Sequence, residues 1–404
     1  MNMIVKTNVK LNLGLSVLRK RADGFHDIET LFVPCFDFGD TLEIITGDDY
    51  SRTSASLFAK YGSLDRRFDK LSDQQTQRLA GLVTDELSDS QEASVGSTSS
   101  PTGFNESAKE GEKETTLSGN VTASEDGRLV QGISEDGKLM ITIAREEGVD
   151  WNPLKDLCAK AYNILAQDFD LPPVKIFLEK KAPVGAGLGG GSADAAFTLK
   201  ALNELCGLNL SEQRLSEYAA KLGSDCAFFV FNRPMIGSGR GEILEPYDID
   251  LSEYEIKVLI PDGIAVSTSE AYKGIVPRGS MKSGCFDTSE NSDHRRLIDQ
   301  SMTESSEEYQ DLPGKRMMSG QQESKQTGDP KSSPTTSPTR LSDLKTVLAM
   351  PISEWKDNLV NDFEATVFKA HPELAVIKQS LYDSGAVYAS MSGSGSALFA
   401  LYRK

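Results

Sequence analysis

Apolar and polar residues alternate strictly near the start of the chain. Every second residue from Val9 to Val17 is aliphatic, and Lys10 and Asn12 fall on the opposite side. A period of two predicts a β-strand with one face buried and the other in solvent. The polar face is therefore either an ordinary solvated surface or a place where an ammonium and a carboxamide act together.

Other segments of the chain predict both strands and helices, as in an α+β protein. Residues 30–36 and 40–45 favour two more strands that complete an antiparallel beginning, after a turn around Asp23-Gly24. Helical spacing of apolar residues predicts helices at 152–169 and 193–206, and a third from the N-cap residue Ser211 to Leu222. Strands are also expected at 138–144, 174–178 and 256–260, and two around a Gly/Ser turn at 386–400.

Two segments lack this patterning. Residues of about 50–127 and 277–339 are rich in small polar and charged residues, which bury too little apolar surface to offset the conformational entropy of the chain. We interpret both as low-complexity insertions, the first of them largely disordered and located in a loop between strands. The cost of closing a loop grows slowly with its length, so we expect the fold to tolerate this insertion. The sequence indicates no partner for either one.

Composition narrows the classes of function. The 404 residues are 38% hydrophobic, enough for about two domains. A formal charge of −17 argues against nucleic acid or an anionic membrane as a partner, because both attract basic surfaces. Five widely spaced cysteines and three scattered histidines suit reduced thiols rather than disulfides or a zinc site. Since no leader or membrane-spanning apolar run is visible, we expect a cytoplasmic protein that acts on a small molecule.

A glycine loop, residues 182–192, carries the clearest chemistry. Five of the seven residues 185–191 are glycine, and the loop connects the strand predicted at 174–178 to the helix predicted at 193–206. A helix N-terminus offers unpaired N–H groups and the positive end of the helix dipole, which attract anions. Glycines remove the Cβ atoms that would keep a phosphate away from the backbone. The loop therefore predicts a polyphosphate site.

The glycine loop fits two common nucleotide motifs poorly. No Lys-Ser or Lys-Thr pair follows the glycines, so the Walker pattern fails. Gly185, Gly187 and Gly190 match the dinucleotide pattern G-x-G-x-x-G, but that fold requires alternating strands and helices and an acidic residue about 20 positions later. A turn that only lets a helix and a strand pack closely is the remaining alternative.

The stretch from Pro183 to Ser192 resembles the ATP-binding motif of the GHMP kinases. Residues 9–13, 21–26, 30–32 and 38–40 resemble the branch of that family that phosphorylates 4-diphosphocytidyl-2-C-methyl-D-erythritol, as do residues 223–229 and the strand pair around 237–244. The Gly/Ser turn within 386–400 resembles the third motif of the superfamily. The resemblance covers both ends and the middle of the chain, and omits only the two insertions.

Departures from the family pattern are mild. Asn8-Val9 stands where the family usually has Pro-Ala, and Phe25 stands where it has Tyr. Cys226-Ala227 replaces Val-Pro, which affects the turn after Asp225. Phe25 keeps the ring face for stacking on a pyrimidine and loses only a hydroxyl.

The resemblance implies ATP as the phosphate donor. The ATP-binding residues would be Lys180, near the adenine, and the glycine-loop residues Pro183, Val184, Gly185, Ala186, Gly187, Leu188, Gly189, Gly190, Gly191, Ser192 and Ala193. Taken alone, Lys180 could equally belong to a solvated strand end. Mg²⁺ is expected because polyphosphate charge needs neutralising. Ser192 is the best local candidate to approach the ion, and no residue is assigned as a metal ligand.

The resemblance also implies two catalytic residues, Asp225 and Lys10. Asp225 would take the proton from the substrate hydroxyl as it attacks the γ-phosphate of ATP. Lys10 would keep that carboxylate ionised and offset the charge that develops on the transferring group. Taken alone, Asp225 could simply cap the short helix that follows it.

Five residues would bind the acceptor substrate: Asn12, Phe25, His26, Thr268 and Tyr272. In this arrangement Phe25 and Tyr272 would lie on the two faces of the cytosine, and His26 would hydrogen-bond its edge. The alternative is that these rings only pack against the sheet. Thr268 and Tyr272 are four residues apart, so they would share one face of a helix.

The fold implied by the resemblance is the two-domain α+β architecture of the GHMP kinases. Residues 1–248 would form a ribosomal-protein-S5-like ATP-binding domain, and residues 249–404 a ferredoxin-like domain. The implied reaction is ATP-dependent phosphorylation of the 2-hydroxyl of 4-diphosphocytidyl-2-C-methyl-D-erythritol in non-mevalonate isoprenoid synthesis. A kinase for another small alcohol should lack the Phe25 and Tyr272 pair, and a catalytically silent nucleotide-binding regulator should lack Asp225 or Lys10.

Overall fold

The chain folds around three β-sheets, in a computed structural model that describes residues 1–47, 52–64, 66–67, 117–278 and 343–404. The strands are β1 (Asn2–Lys6), β2 (Val9–Lys20), β3 (His26–Cys35), β4 (Thr41–Thr46), β5 (Arg66–Arg67), β6 (Gly119–Ala123), β7 (Leu129–Ser134), β8 (Leu139–Arg145), β9 (Val174–Lys180), β10 (Met235–Ser238), β11 (Ile243–Pro246), β12 (Tyr254–Leu259), β13 (Tyr388–Met391) and β14 (Leu398–Arg403). The helices are α1 (Arg52–Tyr61), α2 (Leu157–Ala166), α3 (Gly190–Leu205), α4 (Glu212–Leu222), α5 (Cys226–Phe231), α6 (Thr268–Tyr272), α7 (Leu344–Leu348), α8 (Trp355–Asn358), α9 (Glu364–Ala370) and α10 (Pro372–Asp383).

The largest sheet has seven strands in the order β1-β4-β9-β8-β7-β6-β5. Its strands pair antiparallel except for β8 and β9, which are parallel and connected by a crossover through α2. Helices α2 to α5 contribute to the main hydrophobic core together with the apolar faces of β4, β8 and β9. This core fixes the end of β9 against the start of α3, the two elements that flank the glycine loop.

A second sheet, in the order β11-β10-β3-β2, contains the alternating strand at the start of the chain. The strand was predicted correctly, but the prediction that one face is in solvent is wrong, because both faces are buried from Val9 to Val17. Its apolar side packs on C-terminal residues that include Trp355 and Tyr388. Its polar side is covered by the glycine loop and by Asp225.

Strand β4 does not continue the antiparallel pair of β2 and β3. It lies between β1 and β9 in the seven-stranded sheet, whereas β3 pairs with β2 and β10. The prediction that this strand completes an antiparallel beginning with β2 and β3 is therefore wrong. Strand β1, which the pattern analysis did not predict, provides one of the two partners of β4.

The first predicted insertion contains ordered structure. Helix α1 and strand β6 fall within residues 50–127, and Leu57 and Tyr61 of α1 are buried against the seven-stranded sheet. The prediction of a largely disordered segment is therefore wrong at both of its ends, while residues 68–116 lie outside the described residues. Of the second insertion, residues 279–339 also lie outside them.

The third sheet, in the order β12-β14-β13, carries the C-terminal Gly/Ser turn between β13 and β14. The described residues up to 278, together with residues 344–404, form one compact unit, and the division into domains at residue 248 stays a prediction. Within the described residues, no helix is long and apolar enough to cross a membrane.

Candidate functional site

The glycine loop has a backbone that only glycine adopts readily. Gly185, Gly187 and Gly189 have φ angles of 75°, 74° and 74°, in the left-handed region that costs other residues free energy. Helix α3 begins at Gly190, three residues earlier than predicted. Its N-cap residue is Gly189, which has no side chain to cap the helix. The first N–H groups of α3 therefore have no partner within the helix.

The C-terminal Gly/Ser turn packs directly against the glycine loop. A Cβ atom on Gly187 would lie 2.2 Å from the carbonyl oxygen of Ser392, and one on Gly393 would lie 2.7 Å from that of Gly187. The N–H of Ala397 donates to the carbonyl of Ala186 at 3.2 Å. These contacts hold the outer edge of the loop with backbone atoms alone.

Lys10 and Asp225 meet at the inner edge of the glycine loop. The Nζ of Lys10 is 3.3 Å from Oδ2 of Asp225, although the two residues are far apart in the chain. The N–H of Lys10 donates to the carbonyl of Leu188 at 2.9 Å, which joins strand β2 to the loop. The side chain of Lys10 is almost fully buried, so its charge acts in a medium of low polarity.

The carboxylate of Asp225 faces open space. Its side chain is 29% exposed, and at the N-cap of α5 it makes no capping hydrogen bond. The interpretation of Asp225 as an ordinary helix cap is therefore wrong. One oxygen contacts Lys10, which leaves the carboxylate able to accept a proton from a bound group.

Asn12 lies beside Lys10, as the alternation predicted. Its Oδ1 accepts a hydrogen bond from Nζ of Lys10 at 2.5 Å, and its Nδ2 donates to Oγ1 of Thr30 at 3.1 Å. Asn12 is 1% exposed. Both polar atoms of the Asn12 amide are therefore engaged within the protein, and the contact of Asn12 with the acceptor substrate stays a prediction.

An aromatic cluster of His26, Tyr272 and Phe363 forms the far end of the site. The rings of His26 and Tyr272 stack with centroids 4.5 Å apart, and Phe363 contacts Tyr272 edge-on at 4.8 Å. Burial lowers the pKa of His26, with a smaller contribution from Lys20, so the imidazole is neutral at pH 7. Burial raises the pKa of the Tyr272 hydroxyl to about 12, with a smaller contribution from Asp225.

The remaining acceptor residues lie around this cluster. Thr268 contacts Ser394 of the Gly/Ser turn through their hydroxyls at 3.3 Å. Phe25 is about half exposed, and the guanidinium of Arg240 lies 5.1 Å from its ring centroid. Phe25 and Tyr272 both line the site, but the ring stacked on Tyr272 is His26.

The predicted site residues line one cleft of about 800 Å³, except Ala193, which is buried within α3. The cleft extends from Lys10, Asp225 and the glycine loop to the aromatic cluster, and residues from both halves of the chain contribute to it. Such a volume suits a small-molecule site. Lys180 also lines the cleft, but its ammonium is buried between Asp40 and Asp194.

Among the cleft residues that the sequence analysis missed, Arg240, Trp151 and Asp156 carry polar side-chain groups. Trp151 donates its indole N–H to Oδ2 of Asp156 at 3.0 Å, so the two line the wall together. Arg240 follows a glycine and precedes another within residues 237–244, a segment assigned only as a strand pair. A cationic residue between two glycines was the feature of the sequence that could have identified Arg240 as a residue of the cleft.

The residues present offer little for a metal ion by themselves. Within the described ranges, no three His, Cys, Asp or Glu side chains are grouped closely enough to bind one. Mg²⁺ is commonly held by one or two protein oxygens, waters and substrate phosphates. Ser192, which lines the cleft and carries a hydroxyl, fits that kind of incomplete site.

Comparison with known proteins places the chain in a family. The family model "GHMP kinases N terminal domain" matches residues 156–233, and "GHMP kinases C terminal" matches residues 347–404. The 4-diphosphocytidyl-2-C-methyl-D-erythritol kinase of Parabacteroides distasonis is 31% identical over 402 residues, with 100% of this chain and 92% of that protein covered. The protein of the same name from Bacteroides fragilis is 32% identical over 400 residues, with 99% and 92% covered.

A solved structure supports the same fold. The crystal structure of a 4-(cytidine 5'-diphospho)-2C-methyl-D-erythritol kinase superposes with a TM-score of 0.51 at 21% identity, with 99% of this chain and 90% of that chain covered. The predicted α+β architecture is confirmed by this match and by the two family models. The chain belongs to the GHMP kinases, in the family of the 4-diphosphocytidyl-2-C-methyl-D-erythritol kinases.

Proposed function

We propose that the protein transfers the γ-phosphate of ATP to the 2-hydroxyl of 4-diphosphocytidyl-2-C-methyl-D-erythritol. The contact between Lys10 and Asp225 at the inner edge of the glycine loop carries this proposal. It puts a proton acceptor and a cation beside the place where the end of a triphosphate would lie. The substrate is taken from the names of the full-length relatives.

Asp225 acts as the general base in this proposal. The acceptor hydroxyl oxygen forms a bond to the γ-phosphorus, the bond to the bridging oxygen of ADP breaks, and the hydroxyl proton moves to Asp225. Lys10 lies close enough to offset the charge on the transferring group, and Asn12 orients the ammonium. The glycine loop binds the triphosphate through backbone N–H groups at the start of α3.

The aromatic cluster, with Phe25 beside it, binds the cytidine end of the acceptor. Phe25 and Tyr272 provide ring faces for the base, and neutral His26 can both donate and accept a hydrogen bond at its edge. Because His26 stacks on Tyr272, we expect that the base inserts beside this pair or displaces His26. Thr268 completes this end of the cleft.

Mg²⁺ bound with ATP would neutralise polyphosphate charge. Ser192 is the protein group that fits its neighbourhood, because it lines the cleft and carries a hydroxyl oxygen. A cytoplasmic location stays part of this proposal, because the widely spaced cysteines suit reduced thiols.

A direct assay tests the proposal. Purified protein is incubated with ATP and one acceptor at a time, which is the cytidine substrate, mevalonate or homoserine. The formation of ADP is followed in each reaction. We expect turnover with the cytidine substrate only. Turnover with mevalonate or homoserine would assign the chain to another small-alcohol kinase, and ATP binding without any turnover would favour a silent regulator.

A further inference from the structure

Lys180, Asp40 and Asp194 form a buried ionic cluster at the end of β9. The Nζ of Lys180 is 2.5 Å from Oδ2 of Asp40 and 2.6 Å from Oδ2 of Asp194. The three side chains are at most 5% exposed. Charges at this depth persist only when they are paired and hydrogen-bonded, so the ammonium binds both carboxylates firmly.

The two carboxylates hold opposite ends of the glycine loop. The Oδ1 of Asp40 accepts hydrogen bonds from the N–H groups of Lys181 and Ala182 at 2.5 and 2.7 Å, where the chain leaves β9 and enters the loop. Asp194 belongs to α3, the helix that leaves the loop. Lys180 therefore links the residues before the loop to the helix after it.

Thr7, the residue after β1, connects the same two carboxylate residues. Its hydroxyl accepts from the N–H of Asp40 at 2.9 Å and donates to Oδ1 of Asp194 at 3.1 Å. Every oxygen of the two carboxylates then has at least one donor. The cluster is fully satisfied, and such networks define a single geometry.

The ionic cluster lies directly beneath the first residue of α3. A Cβ atom on Gly190 would be 3.3 Å from Cβ of Ala182, 3.8 Å from Oδ2 of Asp40 and 3.9 Å from Nζ of Lys180. The charged groups of the cluster therefore lie next to the first turn of this helix.

We infer that Lys180, Asp40 and Asp194 are positioning residues that set the distance between the two ends of the glycine loop and thereby the affinity for ATP. The inference rests on the proposed ATP site. It gives Lys180 a role through its buried carboxylate partners, and not through contact with the adenine. ATP binding should therefore respond to the ionic cluster more strongly than acceptor binding does.

Two isosteric substitutions separate hydrogen bonding from charge. Asp40→Asn must place its NH₂ group either against the Lys180 ammonium or against two backbone N–H groups, so donors face donors in both orientations. Asp194→Asn can keep its oxygen on Lys180 and donate to the Thr7 hydroxyl, which has acceptor capacity. Both variants remove one negative charge, but only the first breaks the link to the loop.

The test compares ATP binding by titration calorimetry, Michaelis constants for both substrates, and thermal unfolding of the two variants. For Asp40→Asn we expect the dissociation constant of ATP to rise about tenfold, with the KM of the acceptor within about twofold of the wild-type value. For Asp194→Asn we expect a rise of less than about threefold. Equal effects of the two variants on ATP binding, or no effect of Asp40→Asn, would overturn the inference.

A third variant covers the case in which Asp40→Asn does not fold. Thr7→Val keeps the shape of the side chain and removes the hydroxyl that connects Asp40 and Asp194, and the dissociation constant of ATP should rise about threefold. Unchanged ATP binding in a folded Thr7→Val protein would overturn the inference. A wild-type protein that binds ATP but transfers no phosphate would contradict the proposed reaction and leave this binding test intact.

Discussion

The two ends of the cleft are built in different ways. The glycine loop is one continuous stretch whose backbone, held by β9, α3 and the Gly/Ser turn, forms the proposed phosphate site. The rest of the cleft uses side chains from distant segments, with Lys10 from β2 and Asp225 before α5 beside the loop, and His26 and Tyr272 stacked at the far, acceptor end. A site built from the backbone tolerates few substitutions, because each one can change the shape of the loop. In a site built from side chains, each substitution removes the contacts of one group.

The largest expected effect is on catalysis by the side chains beside the glycine loop. Asp225→Asn keeps the shape of the side chain and removes the proton acceptor, so kcat should fall by about 10²–10⁴-fold while ATP affinity stays nearly unchanged. Steady-state kinetics and calorimetric ATP titration measure the two quantities. A rate like that of the wild type would exclude Asp225 as the base, and a parallel loss of ATP binding would show that the two ends are not separable.

The next effect concerns the shape of the glycine loop. Gly187→Ala and Gly185→Ala both place a side chain at a φ near 75°. The new Cβ of Gly187→Ala would lie 2.2 Å from the carbonyl oxygen of Ser392, whereas that of Gly185→Ala would have nothing within 4 Å. We expect the free energy of unfolding to fall by about 1–2 kcal/mol for Gly185→Ala and about 2–5 kcal/mol for Gly187→Ala. Chemical denaturation measures both, and equal losses would refute the close packing of loop and turn.

A smaller effect is expected for the aromatic cluster. Tyr272→Ala removes the ring that contacts His26 and Phe363, and the KM of the cytidine substrate should rise about tenfold with little change in the KM of ATP. Tyr272→Phe keeps the ring and serves as the matched control, with an expected change of less than about twofold. If both variants are equally impaired, the hydroxyl rather than the ring face is the important group.

The smallest effect is a pH dependence at His26. Because burial lowers its pKa from the ordinary value of about 6.5, His26 is neutral above that pH and gains a proton only below it. The KM of the cytidine substrate should therefore be flat from pH 8 to about pH 6.5 and rise less than about fourfold at about pH 6. The folded state disfavours the imidazolium, so the free energy of unfolding should also fall as the pH decreases through about 6.5.

His26→Gln provides the control for that dependence. It keeps a donor and an acceptor at the ring edge but does not titrate, so the acidic rise in KM should disappear. A rise that persists in this variant would assign the titration to another group of the cleft.

Local patterns in the sequence were reliable where the chemistry is local. The glycines of residues 185–191, the N-cap Ser211 and the strand at 174–178 each appear in the fold, because turn geometry, capping and strand propensity depend on neighbouring residues. The pairing of Lys10 with Asp225 was expected from the family resemblance, and the distance between them came from the structure.

Only the tertiary structure decided which surfaces face each other. The polar side of β2 is buried by the glycine loop, β4 pairs with β1 and β9, and Lys180 is bound by Asp40 and Asp194. None of these partners lies near its counterpart in the chain, and a pattern along one segment carries no information about the segment that covers it. The amino-acid sequence therefore determined the chemical groups and their local geometry, and long-range packing determined their partners.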